Sequence, residues 1–252
     1  MGEVTPSGGA RTLATMIRIR LAEDRGHFDH GWLDTYHSFS FGGYMDPDHV
    51  QFRALRVLNE DVVHPGRGFG THPHQDMEIV TVILAGALEH KDSTGTGSVI
   101  RPGDVQRMSA GTGILHSEFN PSPTEPVHLL QIWLLPNERG LAPSYEEQRF
   151  GEGAFADGLR LVAAPDGRDG ALTIHSAAEL RMGSLADGQG FTHAIAPNRH
   201  VYLHVATGSV RVTGTDGVAH ELGAGSAAAV SEESELRVEA TTSAQVLVFD
   251  LE

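Results

Sequence analysis

The sequence contains no cysteine. That absence excludes disulfides, thiolate catalysis, and zinc or iron–sulfur sites built on sulfur. Any metal must be held by histidine, aspartate or glutamate, and there are 15 histidines. Positive charge is scarce: 18 Lys and Arg against 33 Asp and Glu leave a formal net charge of −15. Lys91 is the single lysine, an imbalance towards arginine that hints at a G+C-rich genome. There is no basic patch large enough to attract a phosphate backbone or an anionic membrane surface, so neither nucleic acid nor membrane is expected as a direct partner. Long hydrophobic runs are missing too. The longest, Ile79 to Leu88, is interrupted by Thr81 and Gly86 and falls short of the ~20 residues that span a bilayer. Residues 1–15 carry Gly, Ser, Thr and Pro but no apolar stretch of the kind a secretory leader has. They read as a flexible arm, and the cytoplasm is the expected address.

What is present is strand-like nearly throughout. The chain has 252 residues and is 40% hydrophobic, enough for one large domain or two small ones with real cores. Short runs rich in Val, Ile and Leu are separated by Gly, Pro, Asp and Asn at the spacing of a sandwich or barrel. In the first half the candidates are Phe52–Leu58, Glu78–Ala85, Ala87–Asp92, Val105–Met108, Ile114–Phe119 and Val127–Leu135. A second series, from Arg160–Ala163 to Gln245–Leu251, follows after residue 150. Helix signals are thin: Ser144–Arg149 and Ser176–Leu180 each read as a turn or two. Asn137–Gly158 is polar and reads as a link. Similar turn-and-strand patterns, Gly86-Ala87-Leu88 and Gly208-Ser209-Val210 among them, point to an internal duplication. The fold class is therefore all-β, with each half a small double-sheet jelly roll that covers its strand edges.

Ten of the 15 histidines lie in residues 27–128. His72 and His74 flank Pro73, and in an extended segment residues at i and i+2 project to one face. Pro73 denies the strand one ladder donor, which suits an irregular or edge strand beside a site. His116 and Glu118 also share a face, together with Ile114, while Leu115, Ser117 and Phe119 take the other. Two such pairs on neighbouring strands would bring three imidazoles and one carboxylate to one point. Imidazole suits Fe, Ni, Cu, Co and Zn. Four protein ligands leave open positions on a five- or six-coordinate ion, which a catalytic metal needs. Phe39, Phe41, Tyr44 and Trp133 are candidates for a pocket wall around a flat molecule. Core packing is the blander reading, favoured for Phe41. His90 and His128 fall on strands and read as structural or exposed. His27, His30, His37, His49 and His64 are assigned no role.

The run from Gly66 to His74, followed by Glu78, resembles the first cupin motif. The chain also resembles the pirin family of bicupins. The segments that carry this are His37 to Tyr44, His72-Pro73-His74, Gly111 to Glu118, and Leu130 to Leu134. The likeness is dense over about residues 19–150 and diffuse beyond. It implies two tandem cupin domains: an N-terminal metal-binding one at 16–140, after the arm, and a C-terminal metal-free one at 141–252. It implies the ligands His72, His74, His116 and Glu118, with Glu78 as the rival carboxylate, favoured as a bystander. It implies one divalent cation, iron first, with Ni, Co, Mn, Cu or Zn as alternatives. The activity implied is that of a quercetin 2,3-dioxygenase, opening a flavonol with O2 and losing CO, with Glu118 as catalytic base. The competing function is a non-catalytic, redox-sensitive iron protein that binds protein partners. A monomer is expected. In the second half His200, Tyr202 and His204 share one parity and Val201, Leu203 and Val205 the other. With the apolar set facing inward, the histidines are expected to face outward.

Overall fold

The computed structural model describes residues 16–151, 153–156 and 158–252. The expected flexible arm, residues 1–15, lies outside the described residues. Twelve strands come from the first part of the chain: β1 Met16–Arg20, β2 Gly26–Asp29, β3 Leu33–His37, β4 Leu55–Val63, β5 Gly68–His74, β6 Glu78–Ala85, β7 Leu88–Asp92, β8 Gly97–Ile100, β9 Asp104–Ser109, β10 Ile114–Phe119, β11 Val127–Leu134 and β12 Ser144–Arg149. Ten follow: β13 Arg160–Ala164, β14 Leu172–Thr173, β15 Ala178–Leu185, β16 Gly190–Ala194, β17 His200–Thr207, β18 Ser209–Thr213, β19 Ala219–Gly223, β20 Ala227–Ser231, β21 Glu235–Ala240 and β22 Ala244–Leu251. The two helical signals are corrected. Ser144–Arg149 is strand β12, and Ala178–Leu180 opens strand β15. Among the described residues only two short 3₁₀ turns are helical.

The all-β, tandem cupin expectation holds. Each half pairs a seven-stranded sheet with a four-stranded one. The orders are β12-β9-β6-β11-β4-β3-β2 with β5-β10-β7-β8, and β1-β20-β17-β22-β15-β13-β14 with β16-β21-β18-β19. The two small sheets repeat one order, as a duplication requires. Sheet membership crosses the expected divisions, 16–140 and 141–252, at both ends. β1 lies on the edge of the second half's large sheet, and β12 on the edge of the first's. Each half thus covers an edge of the other, which hides unpaired ladder groups and ties the halves together.

The large sheets bury both faces. Inside the second barrel Val201, Leu203 and Val205 pack with Val210, Leu236 and Val248. The opposite faces of the two large sheets meet in the largest core cluster, where Leu58, Leu130 and Phe39 join Tyr202, Leu247 and Phe249. Each such side chain contributes about 1.5–3 kcal/mol on burial. This shared core corrects the outward reading of the β17 histidines. His204 and Tyr202 do point away from their own barrel, but the first half covers them, and both are fully or nearly fully buried. His200 stays part-exposed against Ser231. Burial first, then the nearby Arg25 charge, lowers the His204 pKa to about 4.

Candidate metal centre

β5 and β10 bring the two histidine motifs together. They pair antiparallel with His116 opposite His72 and Ile114 opposite His74. A bulge between His116 and Glu118 then shifts the register, so Glu118 lies opposite Phe69. Gly68 permits the close approach beyond it. A Cβ there would sit 2.2 Å from the Glu118 carbonyl oxygen and 2.5 Å from Phe119 Cα. Ile114, His116 and Glu118 are buried while Leu115 and Phe119 are exposed, so the expected alternation along β10 holds.

The ligand atoms of His72, His74 and His116 all lie within 4.8 Å of one another. His72 Nε2 and His116 Nε2 are 3.0 Å apart. A second group, His90, His116 and Glu118, meets the same limit. His116 is common to both groups; Glu118 converges with His116 and His90 and is not in the group that holds His72 and His74. The donors fit a divalent cation. Burial, reinforced by the neighbouring imidazoles, lowers His74 to about 4 and His116 to about 3. These rings stay neutral near neutral pH and keep a lone pair available, as metal ligation requires. The Glu118 carboxyl is raised to about 7, chiefly by burial, with Gln131 opposing and the Asp61 charge adding to the rise. Such a desolvated carboxyl is stabilised as an anion by a cation beside it.

The surroundings orient these groups. Gln131 Nε2 donates to both Glu118 oxygens at 3.2 and 3.0 Å. Thr81 donates to Gln131 Oε1 at 2.7 Å. His90 is fully buried and stacks on Tyr145 with ring centroids 4.7 Å apart. Its Nε2 lies 3.0 Å from Asp92 and its Nδ1 lies 3.5 Å from His116 Nδ1. A chain Asp92–His90–His116 of this kind fixes a ligand's tautomer and ring angle. The structural reading of His90 holds and the exposed one does not; its place beside the centre comes from the pairing of Glu118 opposite His90, which no local pattern reports. Glu78 is buried elsewhere. Ser109 Oγ donates to it at 2.9 Å, and the His175 backbone N–H from the second half at 3.1 Å. It belongs to neither convergent group.

A cavity of about 290 Å³ opens beside the cluster, lined by His72, His74 and Glu118. Phe41 and Trp133, at right angles with centroids 5.3 Å apart, form an aromatic wall. Phe41 is thus a pocket residue as well as a packing one. Phe39 instead packs on Tyr202, and Tyr44 binds Arg20 and Asp46. His30 and His37 also line the cavity. His27 pairs with Asp34, His49 with Asp46, and His128 with Glu60; His64 is exposed.

Two sheets per half, a histidine cluster at one barrel mouth and an adjoining aromatic cavity define a bicupin with a metal-type centre in its first half. Residues 18–134 match the family model Pirin, and residues 161–251 match the model described as the quercetinase C-terminal cupin domain. The chain belongs to the pirin family. It is 45% identical over 236 residues to the quercetin 2,3-dioxygenase of Escherichia coli strain K12, covering 94% of this chain and 99% of that one. A putative quercetin 2,3-dioxygenase of Pasteurella multocida is 42% identical, covering 94% of this chain and 100% of that one. Among solved structures, the bacterial pirin YhhW of Escherichia coli in complex with nickel(II) superposes with a TM-score of 0.87 at 45% identity, covering 94% and 99%.

Proposed function

We propose that this chain is a metal-dependent dioxygenase that opens a flavonol such as quercetin with O2 and releases CO. The observation that carries the proposal is the meeting of the histidine cluster, Glu118 and the aromatic wall at one cavity. Relatives named quercetin 2,3-dioxygenase support it. His72, His74, His116 and Glu118 are the proposed ligands of one divalent ion. The nickel complex of the Escherichia coli pirin supports a divalent ion in this kind of site, and iron is the proposed native metal. When bound, the ion supplies Lewis acidity to the substrate's hydroxyl and carbonyl oxygens.

The chain's own residues do the rest. Phe41 and Trp133 hold a flat ring system and exclude water from the reacting face. Gln131 keeps the Glu118 carboxyl in place. Glu118, which a bound cation would hold as the carboxylate, takes the flavonol 3-hydroxyl proton as general base, a dual role that requires its bond to the metal to be weak or to swing away. The test is quercetin consumption under air, with CO release measured and an oxygen-free control. Glu118→Gln is expected to slow turnover by about 10²–10⁴-fold, the usual share of a general base. Equal turnover would remove Glu118 from the chemistry.

A further inference from the structure

The metal side accounts for only part of the cavity's polar equipment. Across from β5 and β10, the large sheet presents a second polar group on β3 and β4. The register sets Thr35 opposite Asp61 and His37 opposite Asn59. All four line the cavity, and none is more than 6% exposed. Among the described residues their only side-chain hydrogen bond is Thr35 Oγ1 donating to Asp61 Oδ1. Asn59 Oδ1 and His37 Nδ1 have no partner, and neither has Trp133 Nε1 on β11, the strand beside β4. Those three atoms are closed off from the cavity. Asp61 Oδ2 and Asn59 Nδ2 also lack a partner among the described residues but keep accessible surface. Partnerless polar groups at a mostly buried cavity wall point to a ligand that completes them.

The chemistry of that ligand follows from the wall. The Asp61 carboxylate is an acceptor, so the ligand must donate. The Asn59 Nδ2 amide is a donor, so an oxygen that also accepts fits best. No lysine or arginine lines the cavity, whereas Asp61 and Glu118 do. An unhydroxylated ring would leave Asp61 and Asn59 Nδ2 without a partner. We propose that Asn59 and Asp61 form a hydroxyl-recognition subsite, which selects a ring-hydroxylated aromatic molecule over an unhydroxylated one. The proposal rests on the flavonol reading for its full-sized ligand, whose hydroxylated ring would reach this wall.

The experiment uses nickel-loaded protein without oxygen, with tryptophan fluorescence reporting binding. Quercetin is compared with 3-hydroxyflavone, which keeps the chelating edge and lacks the other ring hydroxyls. Wild type is expected to prefer quercetin by at least about tenfold, because sites built to pair a hydroxyl reject analogues without one. Asn59→Leu and Asp61→Asn are expected to weaken quercetin about tenfold and leave 3-hydroxyflavone within about twofold. Asn59→Leu keeps the branched shape and removes the unpaired amide, and its melting midpoint is measured beside wild type; Asp61→Asn serves as the second variant. Absence of a preference in wild type, or a preference unchanged in both variants, would overturn the subsite and leave it as a place for ordered water only. If neither flavonol binds, the flavonol reading fails, and resorcinol and benzoate then test the subsite alone. A shift of the Asn59 side-chain amide resonance with resorcinol but not benzoate supports it. Equal response to both, or to neither, overturns it.

Discussion

The two halves of this chain share a frame and fill it oppositely. In the first, β10 turns Ile114, His116 and Glu118 inward; in the second, β21 turns Leu236, Val238 and Ala240 inward. His116 pairs with His72 across β5, and Leu236 pairs with His193 across β16. Glu118 lies opposite His90, and Val238 opposite Val212. The second interior is therefore a continuous aliphatic core, while the first keeps a cavity with polar walls. One barrel spends its inward positions on stability and the other on chemistry. A duplicated fold tolerates this because the shared core between the large sheets supports both halves.

Making the first half resemble the second is the sharpest way to test that difference. His116→Leu copies Leu236 and should reduce metal affinity by more than about 100-fold, since even a group supporting a ligand is worth 10–100-fold. Metal analysis after dialysis checks this, and unchanged affinity would break the contrast. His204 tests the shared core. Its folded pKa of about 4 lies below the 6.5 of a free imidazole, so the unfolded chain takes up a proton first as pH falls. The folded state then loses stability between about pH 6.5 and 4, by up to about 3 kcal/mol. His204→Leu should lose less stability than wild type over that range in melting curves; parallel curves would refute the assignment. His90→Val, which copies Val212, should weaken metal by about 10–100-fold through the loose His116 ring. A full-strength site with His90 absent would make the Asp92–His90–His116 chain merely structural. The smallest effect belongs to Glu78→Gln, which should cost about 1 kcal/mol of stability through its bonds to Ser109 and His175 and leave metal content unchanged.

Much of this architecture was legible from period and parity. The apolar alternation located most long strands, and the two short histidine motifs named the clustered residues. β12 differs from its helical expectation because it is an edge strand: Ser144-Tyr145-Glu146-Glu147-Gln148-Arg149 buries no side chain fully and so carries no apolar alternation. The expected strand Phe52–Leu58 stops short of the end of β4 at Val63 because the polar run Asn59-Glu60-Asp61 breaks the apolar pattern. These residues continue the strand, with Asn59 and Asp61 on the inward face beside Val57 and Val63. A polar residue in phase with buried valines was the available signal for the cavity wall. The fate of Tyr202 and His204 was not legible, because a single-strand pattern distinguishes two faces but not which neighbour covers the outer one. The crossed edge strands β1 and β12 depend on long-range pairing that no local pattern reports.

The most direct measurement is metal content per chain after reconstitution with nickel(II) or iron(II), taken on wild type, Glu118→Gln and Glu78→Gln in parallel. One equivalent in wild type and in Glu78→Gln, with loss in Glu118→Gln, is the predicted result. Retention in Glu118→Gln with loss in Glu78→Gln would contradict the proposed centre.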